Sequence, residues 1–573
     1  MPPLVVTALL IIVLVAIAGH YMRERGRPSL KQLREEWGKP VDRQRDLTPI
    51  AEYHRWRADQ EGGSTYLDDR TWSDLHLDLV FSKVDRTQST IGNQLLYHRL
   101  RSYPSEEELK RYERLVQYFE THEEARFGAQ LLLARLSHPA GYRLWQICRK
   151  DKINIPWWYG LFPLLGLTAL GSVVAYWFCP RAVLILLVVA VVNIVLRVKL
   201  WSQSQNLLGP FRQVAPLLKC ARNVLTDPAV SEILGAQQVL TSLRAVESLK
   251  RTTRWASREF SMENELVGSA WEYLNVLFLA DANAMLLAAR TLRRSGDSVL
   301  RIIELLGEVD AAISTASLRV GPNTWVIPEF TEAGRPSILR NTRHPLIEGA
   351  VPNSIIMNPG RGLIITGSNM SGKSTFLRTV GVTVVLAQTL NTCPAGAYSS
   401  PWLKVRSAIG RSDDLTTGTS YYLAEVEAVL ELLRRGEGPE QSLFLFDEIF
   451  RGTNTTERLA AGEAVLKALP FDSTGEGRHL VIAATHDIEL VQMLVGTYDP
   501  YHFEEVVNAD GLLFDYRLRP GRAHARNAIA LLEINGAPSH IVDGARRRVA
   551  ELDSVERTYA RPLPRDPRGP LES

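Results

Sequence analysis

The stretch LIITGSNMSGKSTFL, residues 363–377, decides the fold of the C-terminal part of this 573-residue chain. Gly367-Ser368-Asn369-Met370-Ser371-Gly372-Lys373-Ser374 fits the Walker A pattern GxxxxGK[ST] without a mismatch. It follows an apolar run, GLIIT at 362–366, and leads into the helical pattern STFLRTVGVTVVLAQ. Strand, glycine-rich loop and helix form the context this motif needs. Glycines let backbone N–H groups close around a phosphate, and the helix N-terminus adds a favourable dipole. Gly367 to Thr375 are therefore the expected nucleotide-binding residues. Lys373 reaches the β- and γ-phosphates and Ser374 holds Mg²⁺.

Two later stretches extend the site. SLFLFDE places Asp447 and Glu448 at the end of an apolar strand pattern. An acid there is suited to the Mg²⁺ shell, and the next carboxylate to orienting or deprotonating water. HLVIAATH ends a further apolar run with His486, an imidazole suited to sensing the γ-phosphate. The catalytic set is thus Lys373, Glu448 and His486, with Ser374 and Asp447 as metal ligands. Short apolar strands alternating with helices predict a mainly parallel sheet covered on both faces. No NKxD segment is present to read guanine, which favours ATP over GTP.

Composition bounds the rest. The chain is 45% hydrophobic with a net charge of +3, so it is an ordinary folded protein and no polycation. A nucleic-acid surface has to come from local clusters. Cys148, Cys179, Cys220 and Cys393 show no CxxC spacing, which argues against a disulfide scaffold or zinc site and suits a reducing cytosol.

Three apolar runs stand out, at 2–19, 157–178 and 182–196. About 20 such residues span a bilayer as a helix. Trp157, Trp158 and Tyr159 open the second run and Tyr176 and Trp177 close it, as interfacial aromatics do. The first run reads as an anchor; AIA at 16–18 resembles a signal cleavage site, but a basic n-region is missing. Arg23, Arg25 and Arg27, then Arg149, Lys150 and Lys152, then Arg197 and Lys199 flank the runs. By the positive-inside rule, this predicts a multi-pass protein of the inner (cytoplasmic) membrane with its nucleotide site in the cytoplasm. Residues 68–150 and 203–320 are helical in pattern, with Ser105 an N-cap followed by acids. RPLPRDPRGPLES at the C-terminus reads as a disordered tail.

The ordered motifs resemble the MutS family of DNA mismatch repair ATPases. RHPLIEGAVPNSIIMNP matches the His-Pro segment that opens the family's ATPase, so His344 and Pro345 join the nucleotide-binding set. Thr366 to Thr375 are close to TGPNMGGKST. SDDLTTGTSYYLAEVEAV matches DDL..G.S.F..E, DEIFRGTN matches DEIGRGTS, and Ala484-Thr485-His486 matches ATH. Upstream, TWSDLHLDLVFSKVDRTQSTIGNQLLYHRL is similar to the family's helical core, and LGEVDAAISTASLR to the helix returning to the ATPase. The apolar runs predict transmembrane helices, and the resemblance implies that the rest of this multidomain chain comprises all-α core and lever segments and a C-terminal α/β P-loop ATPase domain of the ABC type. Its expected segments are an anchor at 1–20, core at 21–155, a transmembrane hairpin at 156–200, core and lever at 201–324, ATPase at 325–555 and tail at 556–573. It further implies a homodimer in which Ser420 of one subunit approaches the γ-phosphate held by the other.

Departures from the family are equally specific. Too few residues separate the first apolar run from the core-like segment for a mismatch-reading domain, and the Phe-x-Glu triplets at Phe330 and Phe503 lie in or beside the ATPase. Phe450 stands where the family has glycine, and Asn454 where it has serine. Two functions follow as expectations. One is a membrane-anchored, DNA-handling ATPase, with Arg251, Arg254 and Arg258 around Trp255 as candidate DNA contacts. The alternative is an ATP-driven switch acting on a membrane or protein partner without nucleic acid. Transport is disfavoured by the small number of runs and by the lack of an LSGGQ segment.

Overall fold

The computed structural model of the chain describes residues 28–559 apart from 42–44, 63–64, 150–159, 238, 240–279, 323, 369, 410–420, 451–452, 509–510, 523–528, 530–531 and 534–535. By its contacts the chain divides into two units, Met1–Glu329 with Val382–Tyr398, and Phe330–Gly381 with Ser399–Ser573.

The first unit is helical. Its described helices include α1 (Leu47–Glu61), α2 (Thr90–Arg101), α3 (Glu106–Thr121), α4 (Phe162–Tyr176), α5 (Ala182–Val224) and α6 (Ala280–Arg319). Ser105 caps α3 as its sequence implies: its hydroxyl accepts from the Glu108 amide while the Glu108 carboxylate accepts from the Ser105 amide. That reciprocal pair satisfies two amides the helix cannot use internally. The core is built on apolar positions of α2, α3 and α6, with Leu100, Tyr112, Phe119, Leu306, Val309 and Ile313 at 1% exposure or less. The N-terminus of α2 is closed from outside its own segment. Fully buried Asp310 on α6 accepts from the Gln88 amide, the Ser89 amide at 2.8 Å and the Ser89 hydroxyl at 2.6 Å. Gly92 makes the approach possible, because a Cβ there would come within 2.1 Å of the Asp310 carboxylate.

The transmembrane architecture expected from the apolar runs is overturned. Among the described residues no helix is long and apolar enough to cross a membrane. Of the second run, α4 takes only 15 residues, a rise of about 22 Å against a hydrocarbon core of about 30 Å. In α5 the apolar stretch gives way at Arg197 and Lys199, and the helix continues as a mixed sequence containing Pro210 and Pro216. The two helices pack together, burying Phe162, Ala169, Ala182, Val189 and the polar Asn193 and Ser172. With the spans go the multi-pass inner-membrane location and the membrane as a partner. The run at 2–19 lies outside the described residues.

The second unit is α/β. A hairpin of β1 (Ser337–Thr342) and β2 (Asn353–Met357) precedes a six-stranded sheet. The sheet comprises β3 (Gly362–Thr366), β4 (Lys404–Ile409), β5 (Ser442–Asp447), β6 (Leu480–Ala484), β7 (Tyr498–Asn508) and β8 (Gly511–Pro520) in the order β8-β7-β3-β6-β5-β4. Every pairing is parallel except β7–β8. The three runs read as strands in the sequence are the adjacent β3, β6 and β5. All of β3 and β6 is buried, and so is β5 up to Phe446. Burial on both faces is why these strands are continuously apolar and not alternating. On one face, Val429 and Leu432 of α8 (Tyr421–Gly436), Leu466 of α9 (Thr455–Ala468) and Leu490 of α10 (Ile488–Met493) pack with Phe444, Phe446, Ile449 and Phe450. Between β3 and β4 runs α7 (Lys373–Leu390), whose residues from Val382 onward group with the first unit.

Candidate nucleotide site

The site forms where β3, β5 and β6 end. In the sheet Asp447 lies opposite Ala484, so the residue after each strand, Glu448 and Thr485, emerges at the same edge as the loop after Thr366. This is the carboxyl end of parallel strands, where open α/β sheets bind ligands.

The loop is shaped by its glycines. Gly367 has φ +152 and Gly372 φ +105, both beyond ordinary reach of a residue with a side chain. Met370 adopts φ +71 at the tip. A Cβ on Gly367 would lie 2.6 Å from the Ser371 hydroxyl, so only glycine lets the turn close. Ser368 donates to Glu505 of β7, bracing the loop from behind. Helix α7 then starts at Lys373 and presents its N-terminus to the cavity.

Lys373 is 5% exposed. Its Nζ donates to the carbonyls of Gly367 at 2.8 Å and Ser368 at 2.9 Å, and lies 3.3 Å from His486 Nε2. His486 Nε2 in turn lies 2.5 Å from a Glu448 carboxylate oxygen. Lysine, imidazole and carboxylate thus form one chain of polar contacts. Glu448 sits at φ +56, and its amide donates to the Ala484 carbonyl at 2.9 Å, which ties this strained residue to the neighbouring strand. Asp447 hydrogen-bonds the Ser374 side chain. Burial, joined by the Glu448 charge, pushes the Asp447 carboxyl above its usual range against the opposing effects of Ser374, Lys373 and Arg378. A divalent cation between Ser374 and Asp447 would reverse that balance, and the hydroxyl–carboxylate pair is the hard-oxygen donor set such an ion takes.

A cavity of about 540 Å³ opens on these groups, within the usual range for ligand pockets. Gly372, Lys373, Ser374, Thr375 and Glu448 line its polar end; His344, Ile347, Val351, Phe503 and Tyr516 line the remainder. Buried His344 holds its own turn by accepting from the Leu346 amide through Nδ1, and Pro345 is buried beside it. A glycine-built loop at a helix N-terminus, a buried lysine and an oxygen pair for a cation fit a nucleoside triphosphate with Mg²⁺.

Of the candidate residues, the structure brings together Lys373, Ser374, Thr375, Gly372, Met370, Asp447, Glu448, His486 and His344, with Gly367, Ser368 and Ser371 forming the back of the loop. Asn369, Ser420, Arg251, Arg254 and Arg258 lie outside the described residues. Sequence reasoning missed Phe503, Tyr516, Val351 and Glu505; β7 and β8 carry three of them in by long-range pairing, which no local pattern signals. Neither Phe-x-Glu triplet is a free wedge. Phe330 stacks on Trp402 with ring centroids 4.4 Å apart, and Phe503 is buried at 3% exposure.

Fold and site together define an α/β domain whose glycine loop, helix N-terminus and cavity suit a phosphate-bearing ligand. More particularly, residues 363–553 match the family model of MutS domain V. The chain is 30% identical over 344 residues to the DNA mismatch repair protein MutS of Thermus thermophilus, covering 58% of this chain and 40% of the relative. It is 31% identical over 352 residues to that of Thermus aquaticus, covering 59% and 41%. With DNA mismatch repair protein MutS 2 of Halobacterium salinarum the identity is 37% over 212 residues, 36% of this chain and 24% of the relative. The chain is therefore similar to the MutS family in part of its length, and its matches span 41% or less of these relatives.

Proposed function

We propose that this chain is a MutS-type ATPase that binds and hydrolyses ATP with Mg²⁺, its ATPase domain lying within 325–555 and its helical core and lever segments upstream. The placement of Lys373, Ser374 and Glu448 on one cavity, with His486 beside Lys373 and Glu448 and with Asp447 bonded to Ser374, carries the reading. Lys373 exchanges its loop carbonyls for phosphate oxygens, while the amides of Gly372 to Thr375 hold the anion at the helix N-terminus. Ser374 and Asp447 would hold Mg²⁺, which would supply positive charge to the phosphates. Glu448 accepts the proton of the attacking water, and His486 orients that carboxylate. The resemblance extends the reading to a homodimer with Ser420 acting in trans, and to DNA as the macromolecule handled; the arginines 251, 254 and 258 are the candidate contacts.

Two measurements test this. Phosphate release by the full chain should need Lys373 and Glu448, and Ser420→Ala should slow it while leaving nucleotide binding intact; equal turnover in Ser420→Ala removes the composite site. Binding to homoduplex, mismatched, branched and single-stranded DNA over a salt series, with Glu448→Gln holding ATP, should fall steeply with salt and change with nucleotide. Salt- and nucleotide-indifferent behaviour on every substrate removes DNA from the reading and leaves an ATPase acting on protein.

A further inference from the structure

The contact between Glu448 and His486 joins two loops, one after β5 and one after β6, and both loops are seated on α9. After Glu448, Ile449 and Phe450 are buried in the cluster that includes Leu466 of α9 and Leu490 of α10. Gly462 of α9 allows the close approach: a Cβ there would lie 3.3 Å from Ile449 Cγ2 and 3.7 Å from Leu490 Cδ2. On the other side of the contact, the residue after His486 is Asp487. Arg458, in the first turn of α9, donates from Nη2 to the Asp487 carboxylate at 2.8 Å. The pair is partly enclosed, with side chains 23% and 22% exposed. Glu448, His486, Asp487 and α9 all belong to the second unit.

Asp487 occupies the N-cap of α10, where an aspartate side chain ordinarily accepts from an amide of its own helix. Here it makes no such bond and meets Arg458, 29 positions earlier in the chain. That pairing fixes the backbone on the far side of His486. The near side is held by the sheet: the Thr485 amide donates to the Ile365 carbonyl at 3.0 Å, and the Thr485 hydroxyl accepts from the Asp487 amide at 3.0 Å. The His486 side chain is 34% exposed, so packing alone does not fix its direction, and the backbone beneath it has to. Glu448, at φ +56, is held from its own loop by the buried residues that follow it. One helix therefore supports both ends of the contact. A partly exposed ion pair adds little to global stability, so the effect of Arg458 is local geometry.

We propose that Arg458 is a positioning residue for ATP hydrolysis: through Asp487 it sets His486 against Glu448, with α9 as the common support of both loops. The inference rests on the reading of Glu448 as the acceptor of the water's proton. A misplacement of about 1 Å costs on the order of 10²-fold in rate. Nucleotide binding rests on the phosphate loop and Lys373, so loss of Arg458 falls on kcat and spares KM.

Steady-state ATP hydrolysis by the full chain, measured well below each variant's unfolding midpoint, tests it. Arg458→Ala and Asp487→Ala should each lower kcat about tenfold and leave KM within about twofold. The double variant should be no worse than either single one, because both remove the same pair. Arg458→Lys keeps a charge for Asp487 and should recover most of the rate. In a His486→Ala background, Arg458→Ala should change kcat no further. Lys467→Ala is the control: it breaks a surface pair with Glu463 on the same helix and should leave kcat within about twofold. Parental kcat in Arg458→Ala, an equal loss in Lys467→Ala, or a further loss of about tenfold in the His486→Ala background overturns the inference. If Glu448→Gln stops turnover while Arg458→Ala leaves it unchanged, the inference alone falls. If the parent chain hydrolyses no ATP, the functional reading falls and takes the inference with it.

Discussion

Two buried acids, Asp310 in the helical unit and Asp447 in the α/β unit, invite comparison. Burial pushes both carboxyls up, Asp310 to about 6. Yet Asp310 is enclosed by donors of its own chain: two amides and a hydroxyl at the start of α2. Asp85 raises Asp310 as Glu448 raises Asp447, but Glu448 lines an open cavity. A buried carboxylate surrounded by its own backbone is finished structure. One beside a like charge at the edge of a cavity, only partly offset by a hydroxyl and neighbouring cationic side chains, would be stabilised further by a bound cation.

The contrast breaks or sharpens at several points. The largest expected effect lies on the cavity side. Lys373→Ala should abolish nucleotide binding, and Glu448→Gln should lower turnover by at least about 10²-fold with binding retained; a Glu448→Gln enzyme of parental kcat would place Glu448 with Asp310 among structural acids. Next comes Gly92→Ala, which drives a methyl group into the Asp310 carboxylate. Urea unfolding should show a loss of about 1–3 kcal/mol or more, with ATP turnover of the remaining folded protein unchanged.

A smaller effect is read in pH. His54 and His98 face each other, Nδ1 to Nδ1, at 3.1 Å among Tyr53, Tyr66 and Tyr97. Burial pushes His54 down to about 4 and His98 to about 3. Their folded pKa values lie below the unfolded value, so their contribution is complete above about pH 6.5 and is lost as pH falls towards 4. Asp310 works the other way, because its folded pKa is raised: its contribution is complete below about 3.8 and is lost as pH rises through 6. Acid therefore weakens the helical unit through the histidines while Asp310 partly offsets the loss. Asp310→Asn should steepen the fall in stability between pH 6 and 4, and an unchanged slope would mean that Asp310 is not buried in solution. Least of all, Ser105→Ala, which deletes half of a capping box, should cost about 1 kcal/mol.

Much of the candidate site was legible because its residues are local in sequence. Loop, strand and acid occur as contiguous residues, and Ser105 with Glu108 similarly announces the start of α3. What the sequence concealed depends on partners far along the chain. Tyr516 reaches the cavity only because β8 pairs with β7, and Arg99 finds Thr389 across 290 positions. The apolar runs misled for a different reason. Counting uncharged residues from 157 to 178 took no account of where a helix would begin and end, and among the described residues of that run α4 takes 15. Composition measures how apolar a segment is, whereas spanning requires an apolar stretch and a helix to coincide over about 20 residues, and in α5 the helix outlasts the apolar stretch.

Phe450 carries a consequence for how such a loop is recognised in a sequence. The residue stands at φ +57, a conformation natural to the glycine of the resembling motif, and its ring is 6% exposed among Ile449, Leu466 and Leu490. Left-handed backbone costs a side-chain-bearing residue about 1–2 kcal/mol, and burying a ring returns about 1.5–3. The exchange is close to even, so a pocket for a ring offsets the backbone strain, and this left-handed turn does not need glycine. A motif search that insists on glycine would pass over chains whose loop follows the same path.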